Sequence, residues 1–202
     1  GGGGGGGGCY RYDAFLTHDW CTDLENRNNH ERVKRVSRAL QAAGYVTFFD
    51  ETDMSRSQGD VNRIMSKGIA QSACVIVFLT TSYVAKASGD GPKGSNDNCK
   101  FEFDCALLEP HLGVDKMIPV LMESACGREP RDWPAGTVKG KMGPELYIDF
   151  TEDDKFHTGM QKLIEKLEIK IGKGPSKKER EKSPSKTERK QGPQSPGQCT
   201  LQ

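Results

Sequence analysis

Between residues 10 and 171 short apolar runs alternate with longer segments in which apolar positions recur every three or four residues. "YRYDAFLT" (10–17) ends in a short apolar strand, and "HERVKRVSRALQAAG" (30–44) sets Val33, Val36, Leu40 and Ala43 along one helical stripe closed by Gly44. "YVTFF" (45–49) is β-branched and aromatic; a polar, glycine-ended loop follows, and "DVNRIMSKGIAQS" (60–72) resumes a helical pattern with Asp60 as its cap. "CVIVFLT" (74–80) is continuously apolar, as expected of a central strand covered on both faces in a parallel sheet. A Gly/Asn/Asp-rich loop (88–98), a helix beginning "NCKFEFDCALL" (98–108), the strand "KMIPVLM" (116–122), an irregular stretch to 144, the strand "LYIDF" (146–150) and a helix over 152–169 complete the order. Five strands alternating with helices predict an α/β three-layer sandwich with right-handed crossovers, whose functional groups gather at the carboxyl ends of the strands.

The flanks differ in kind. Residues 1–8 are all glycine, and from 172 onward the chain is rich in Lys, Glu, Ser, Pro and Gln with too few apolar residues to offset its chain entropy. The expected organisation is therefore a polyglycine segment (1–8), one folded domain (9–171) and a disordered tail (172–202). The GxGxxG match within the glycine run carries no meaning, because no strand precedes it.

Charge and cysteine usage narrow the classes. A formal net charge of +1, from twenty-nine basic residues against twenty-eight acids, gives no basic face for nucleic acid. No apolar run is long enough to span a membrane, and the seven cysteines lack a CxxC pair and fall partly in apolar segments, which points to Cys as a small hydrophobe in a reducing, cytoplasmic setting. The four histidines (18, 30, 111 and 157) are far apart and not at metal-ligand spacing, so no metal site is expected.

Four segments in order, "YDAFLTHDW" (12–20), "GYVTFFDETDM" (44–54), "SACVIVFLTTSYV" (72–84) and "NCKFEFDCAL" (98–107), resemble the Toll/interleukin-1 receptor (TIR) domain family over about residues 10–168. The resemblance implies a flavodoxin-like five-stranded parallel sheet of order 2-1-3-4-5. It also implies one of two activities. Some TIR domains are adaptors that assemble through TIR–TIR contacts; others cleave NAD⁺ with a glutamate on the helix after the third strand, which here is Glu102. NAD⁺ is then substrate and no cofactor is implied. A flavodoxin-like receiver domain needs a phospho-acceptor Asp ending the third strand, where this chain has Leu79 and Thr80.

The NAD⁺ reading makes chemical sense with one acid. Ordinary glycoside hydrolysis needs a second carboxyl group to protonate the leaving oxygen, but nicotinamide departs as a neutral base. What remains is a demand for negative charge beside an oxocarbenium-like ribose. Helical spacing puts Cys99, Glu102, Phe103, Ala106 and Leu107 on one face, so Glu102 sits in or beside an apolar stripe near the helix N-terminus, where acids also occur merely to complete a first turn. His18 and Trp20, after the first strand, belong at the same sheet end and are candidates to stack on a substrate ring, Trp20 having the alternative of covering the sheet edge. Asp19 stands where cleaving members are richer in arginine, and Asn98 is either a ribose contact or the helix cap. Cys99 completes the candidate pocket.

For the adaptor reading, the 50–59 loop carries Asp50, Glu51, Asp53 and Arg56 around Met54, an apolar tip ringed by charge suited to docking another TIR domain, including a second copy of this chain. Finally, "CTLQ" puts Cys199 fourth from the end, as in a farnesyl-type prenylation signal, and eight Lys or Arg against three Glu over 172–202 would favour an anionic membrane surface.

Overall fold

The computed structural model describes residues 10–49 and 60–172. The docking-loop residues Asp50, Asp53, Met54 and Arg56, and Cys199 with the tail, lie outside the described residues. Five strands, β1 (Ala14–Thr17), β2 (Thr47–Phe48), β3 (Val75–Leu79), β4 (Met117–Leu121) and β5 (Ile148–Asp149), pair in parallel in the order β2-β1-β3-β4-β5. That is the expected topology. Six helices connect and flank them among the described residues: α1 (Asn29–Ala42), α2 (Val61–Ala70), α3 (Thr81–Ser88), α4 (Asn98–Leu108), α5 (Thr137–Met142) and α6 (Phe156–Ile171).

The unbroken apolar runs are explained by burial on both sides. Phe15, Val75, Val77, Leu79, Met117 and Leu121 join a core with Ile69 of α2, Tyr83 of α3, Phe103 of α4 and Val138 of α5. Their neighbours Ala14, Leu16, Ile76, Phe78, Ile118 and Val120 join a second core with Val33, Val36 and Leu40 of α1 and Leu163 and Leu167 of α6. Successive strand residues point to opposite faces, so a strand in a middle layer must be apolar at every position. Helix ends follow local chemistry. Asp60 caps α2 by accepting from Asn62 N, and Gly44, at φ 98°, takes the left-handed turn after α1 that a side chain would resist. Gly68 lets α2 press on β2: a Cβ there would fall 2.7 Å from the Phe48 ring.

Three expectations need correction. Residues 81–88, left unassigned between strand and loop, form α3, capped by Thr80, whose hydroxyl accepts from Tyr83 N. The stretch to 144 is not irregular throughout; short helical turns and α5 pack Trp133 and Met142 into the core. The last helix begins at Phe156 after a 3₁₀ turn (Asp153–Lys155) and runs to Ile171 rather than 169.

At the carboxyl ends of β4 and β5 two arginines tie the sheet to the loop before α1. Arg32 donates to Met122 O (2.7 Å) and Phe150 O (2.6 Å), and Arg27 to Met122 O (3.0 Å) and Thr151 O (2.5 Å), while both reach the Asp23 carboxylate. Beside them Glu123 receives two backbone amides, Leu24 N and Thr81 N, and so fixes the start of α3. No helix among the described residues is long and apolar enough to cross a membrane.

Candidate functional site

Three elements converge on a cleft at the carboxyl end of β1. The chain leaves β1 at Thr17 and passes through His18, Asp19 and Trp20; α3 supplies Lys86, and α4 supplies Asn98, Cys99 and Glu102. Met65 of α2 and the Pro92–Lys93 loop close the remaining side. The cleft holds about 330 Å³, within the range of small-molecule sites.

Glu102 sits at its inner wall and is only 5% exposed. It follows Asn98 by four residues and so lies beyond the first turn of α4; completing that turn does not explain it. The apolar stripe of α4 is formed by Cys99, Phe103 and Ala106, and Glu102 is buried with them. The Thr17 hydroxyl donates to Glu102 Oε2 at 2.6 Å, and Thr17 Oγ1 lies 3.0 Å from the Tyr83 phenol oxygen. Burying a carboxylate is costly unless it is hydrogen-bonded, and the Thr17 hydroxyl supplies such a bond.

The cap of α4 is Asp97, whose side chain accepts from Cys99 N; Asn98, weighed as the cap, is instead the first helical residue and exposed on the rim. Cys99 is buried, and its thiol donates to His18 O at 3.7 Å. Burial, with the Glu102 charge second, pushes that thiol far up, so it remains neutral at the cleft wall.

Asp19 has a structural role. It is 1% exposed and accepts from Asn29 Nδ2 (2.9 Å) and from the Thr80 hydroxyl (2.8 Å), pinning β1's exit to α1 and α3. Two cations line the cleft, Lys93 from the loop before α4 and Lys86 from α3. Lys86 Nζ lies 3.7 Å from the Asp19 carboxylate and donates to Cys21 Sγ at 2.9 Å. Burial lowers the Lys86 pKa, but Cys21 and Asp19 together outweigh it and the net shift is upward, so Lys86 is a standing positive charge beside the opening.

The two expected aromatic contacts separate. Trp20 is 58% exposed, stacks on His30 with centroids 4.0 Å apart, and lines the cleft. His18 is 4% exposed; Nδ1 contacts Leu16 O, Nε2 is 2.8 Å from His30 Nδ1, and the ring stacks on Phe49, so it supports the wall rather than offering a stacking face. Histidines 18 and 30, distant in sequence, are thus in contact. Even so, no group of three His, Cys, Asp or Glu side chains suited to a metal is found among the described residues. Thr17, Tyr83, Met65 and Lys86 were not singled out from sequence. Thr17 and Tyr83 lay within the quoted segments "YDAFLTHDW" (12–20) and "SACVIVFLTTSYV" (72–84), but nothing in the pattern marked either as part of a site.

The sequence matches the family model described as TIR domain over residues 24–164, most of the chain. No curated protein sequence matches it significantly. Among solved structures it is similar to the TIR domain of the Toll-related receptor TRR-2 from Hydra magnipapillata, at 15% identity and a TM-score of 0.50, over 77% of this chain and 98% of that one. It is likewise similar to a metazoan TIR-STING receptor from C. gigas, solved in complex with 2′,3′-cGAMP, at 18% identity and a TM-score of 0.51, over 78% of this chain but 40% of that one. These two likenesses concern the fold.

Proposed function

The chain belongs to the TIR domain family of signalling proteins, and from that premise we propose that it cleaves NAD⁺ at the nicotinamide ribosyl bond in the cleft of Glu102. One observation carries the reading: a nearly buried carboxylate, held by the Thr17 hydroxyl, lines a cavity large enough for a nucleotide fragment. As the C–N bond stretches, the bonding pair leaves with nicotinamide as a neutral base and the ribose carbon becomes cationic. Glu102 supplies the opposing charge where water is largely excluded and the interaction is strong. Attack by water on the opposite side of that carbon then gives ADP-ribose and a proton. Trp20 offers a stacking face to a substrate ring, and Lys86 with Lys93 offers positive charge to the pyrophosphate. Asn98, on the rim, is in position to bond a ribose hydroxyl.

Self-association is proposed as the trigger, since assembly can order a pocket that an isolated domain populates only in part. The test follows nicotinamide release by the full chain across a protein concentration series, with and without a crowding agent. Release that rises faster than protein concentration and disappears in Glu102→Ala is expected. Release that persists in Glu102→Ala removes Glu102 from the mechanism. A chain that self-associates but releases nothing acts as a TIR–TIR adaptor instead.

A further inference from the structure

Thr17 stands between two groups that differ in kind, the Tyr83 phenol at 3.0 Å and the Glu102 carboxylate at 2.6 Å. A threonine hydroxyl has a single proton to donate. With that proton committed to Glu102 Oε2, Thr17 Oγ1 can only accept from Tyr83, which orders the chain as Tyr83 O–H to Thr17 and Thr17 O–H to Glu102. Burial pushes the Tyr83 phenol well above its ordinary range, so it stays a donor at any physiological pH. The three residues come from β1, α3 and α4, the elements that wall the cleft, and Thr17 and Tyr83 are both fully buried. Hydrogen bonds in series polarise one another, so the outer phenol strengthens the bond that reaches the carboxylate.

We propose that Thr17, backed by Tyr83, is the positioning residue for Glu102: it locks one carboxylate oxygen to the end of β1 and so fixes the orientation in which the acid meets the reacting ribose. The inference rests on the reading of Glu102 as the group that stabilises the ribosyl cation. A wrongly rotated carboxylate would still admit substrate but would oppose the developing charge poorly. The loss should therefore fall on the chemical step rather than on binding.

The full chain and its Thr17→Val, Thr17→Ser and Tyr83→Phe variants are compared in NAD⁺ cleavage. Thr17→Val keeps the shape and deletes the donor; kcat falls about tenfold or more with KM within about twofold, as expected for loss of a hydrogen bond to a charged group that acts in the transition state. Thr17→Ser restores kcat to within about threefold, and Tyr83→Phe costs less than Thr17→Val, about two- to fivefold. A second readout needs no turnover. The Thr17 hydroxyl proton, followed by NMR in the same chain, should resonate downfield in the wild type, move upfield and exchange faster in Glu102→Ala, and shift by less in Tyr83→Phe. Wild-type kcat in Thr17→Val, an equal fall in Thr17→Ser, or a Thr17 proton indifferent to Glu102→Ala overturns the proposal. The NMR responses without cleavage by the wild type would sustain the relay and overturn the NAD⁺ reading instead.

Discussion

Two charged clusters occupy the same end of the sheet, and they do opposite things. Around Arg27 and Arg32 the guanidinium groups are taken up by the carbonyls of Met122, Phe150 and Thr151 and by Asp23, and the void beside Arg32 is only about 10 Å³. Such a space admits at most one water. Around Glu102 the charge is also hydrogen-bonded, but the wall it belongs to encloses about 330 Å³ with an exposed tryptophan and a lysine at the rim. Burial of charge is thus common to both; unfilled space bounded by complementary chemistry is found at one. The β4–β5 end secures the loop that carries α1, and the β1 end keeps an opening beside elements that Asp19 ties together.

Substitutions at the two ends should separate stability from activity. Glu102→Ala is expected to lower NAD⁺ cleavage at least about a hundredfold, the scale of losing the main electrostatic stabiliser of a transition state, while changing the melting temperature little. Arg32→Ala should do the reverse. It takes the side-chain donor from the Phe150 carbonyl and leaves Arg27 as the side-chain donor to Met122 O and Asp23, and should cost about 2–4 kcal/mol in urea unfolding, with kcat per folded molecule close to wild type. Smaller still, Lys86→Gln is expected to raise KM for NAD⁺ about tenfold at low salt and less at high salt, because it removes one phosphate-facing charge. Trp20→Ala should raise KM about threefold to tenfold through loss of stacking, with no measurable effect on unfolding, since more than half of its surface is exposed.

The alternation of buried strands and helices was legible because two-sided burial writes itself into continuous runs such as "CVIVFLT" (74–80), whereas the strand order followed only from the family resemblance; Glu102 stood out because an acid between Phe101 and Phe103 interrupts an apolar pattern. What surrounds Glu102 was not legible. The helix α3 was hidden because Thr80 ends the strand run and caps the helix at once, leaving only Tyr83, Val84 and Ala87 turned inward. With α3 unassigned, Lys86 and Tyr83 had no position relative to the cleft. The tandem Asp97–Asn98 offers two good caps, and only the backbone decides that Asp97 accepts from Cys99 N. His18 and His30 meet because the loop from Trp20 to Asn28 returns α1 against the exit of β1, a tertiary fact with no spacing signature. The docking-loop residues Asp50, Asp53, Met54 and Arg56 belong to a question that the described residues do not reach.

The central claim is that NAD⁺ occupies the cleft lined by Glu102 and not another part of this sheet end. It is tested most directly by amide and indole NMR shifts of the Glu102→Ala chain, which should hold substrate without cleaving it, during titration with NAD⁺. The account predicts saturable shifts at Trp20, Lys86, Asn98 and Cys99 and none at Arg27 or Arg32. Shifts confined to the arginine cluster, or none at millimolar NAD⁺, would contradict it.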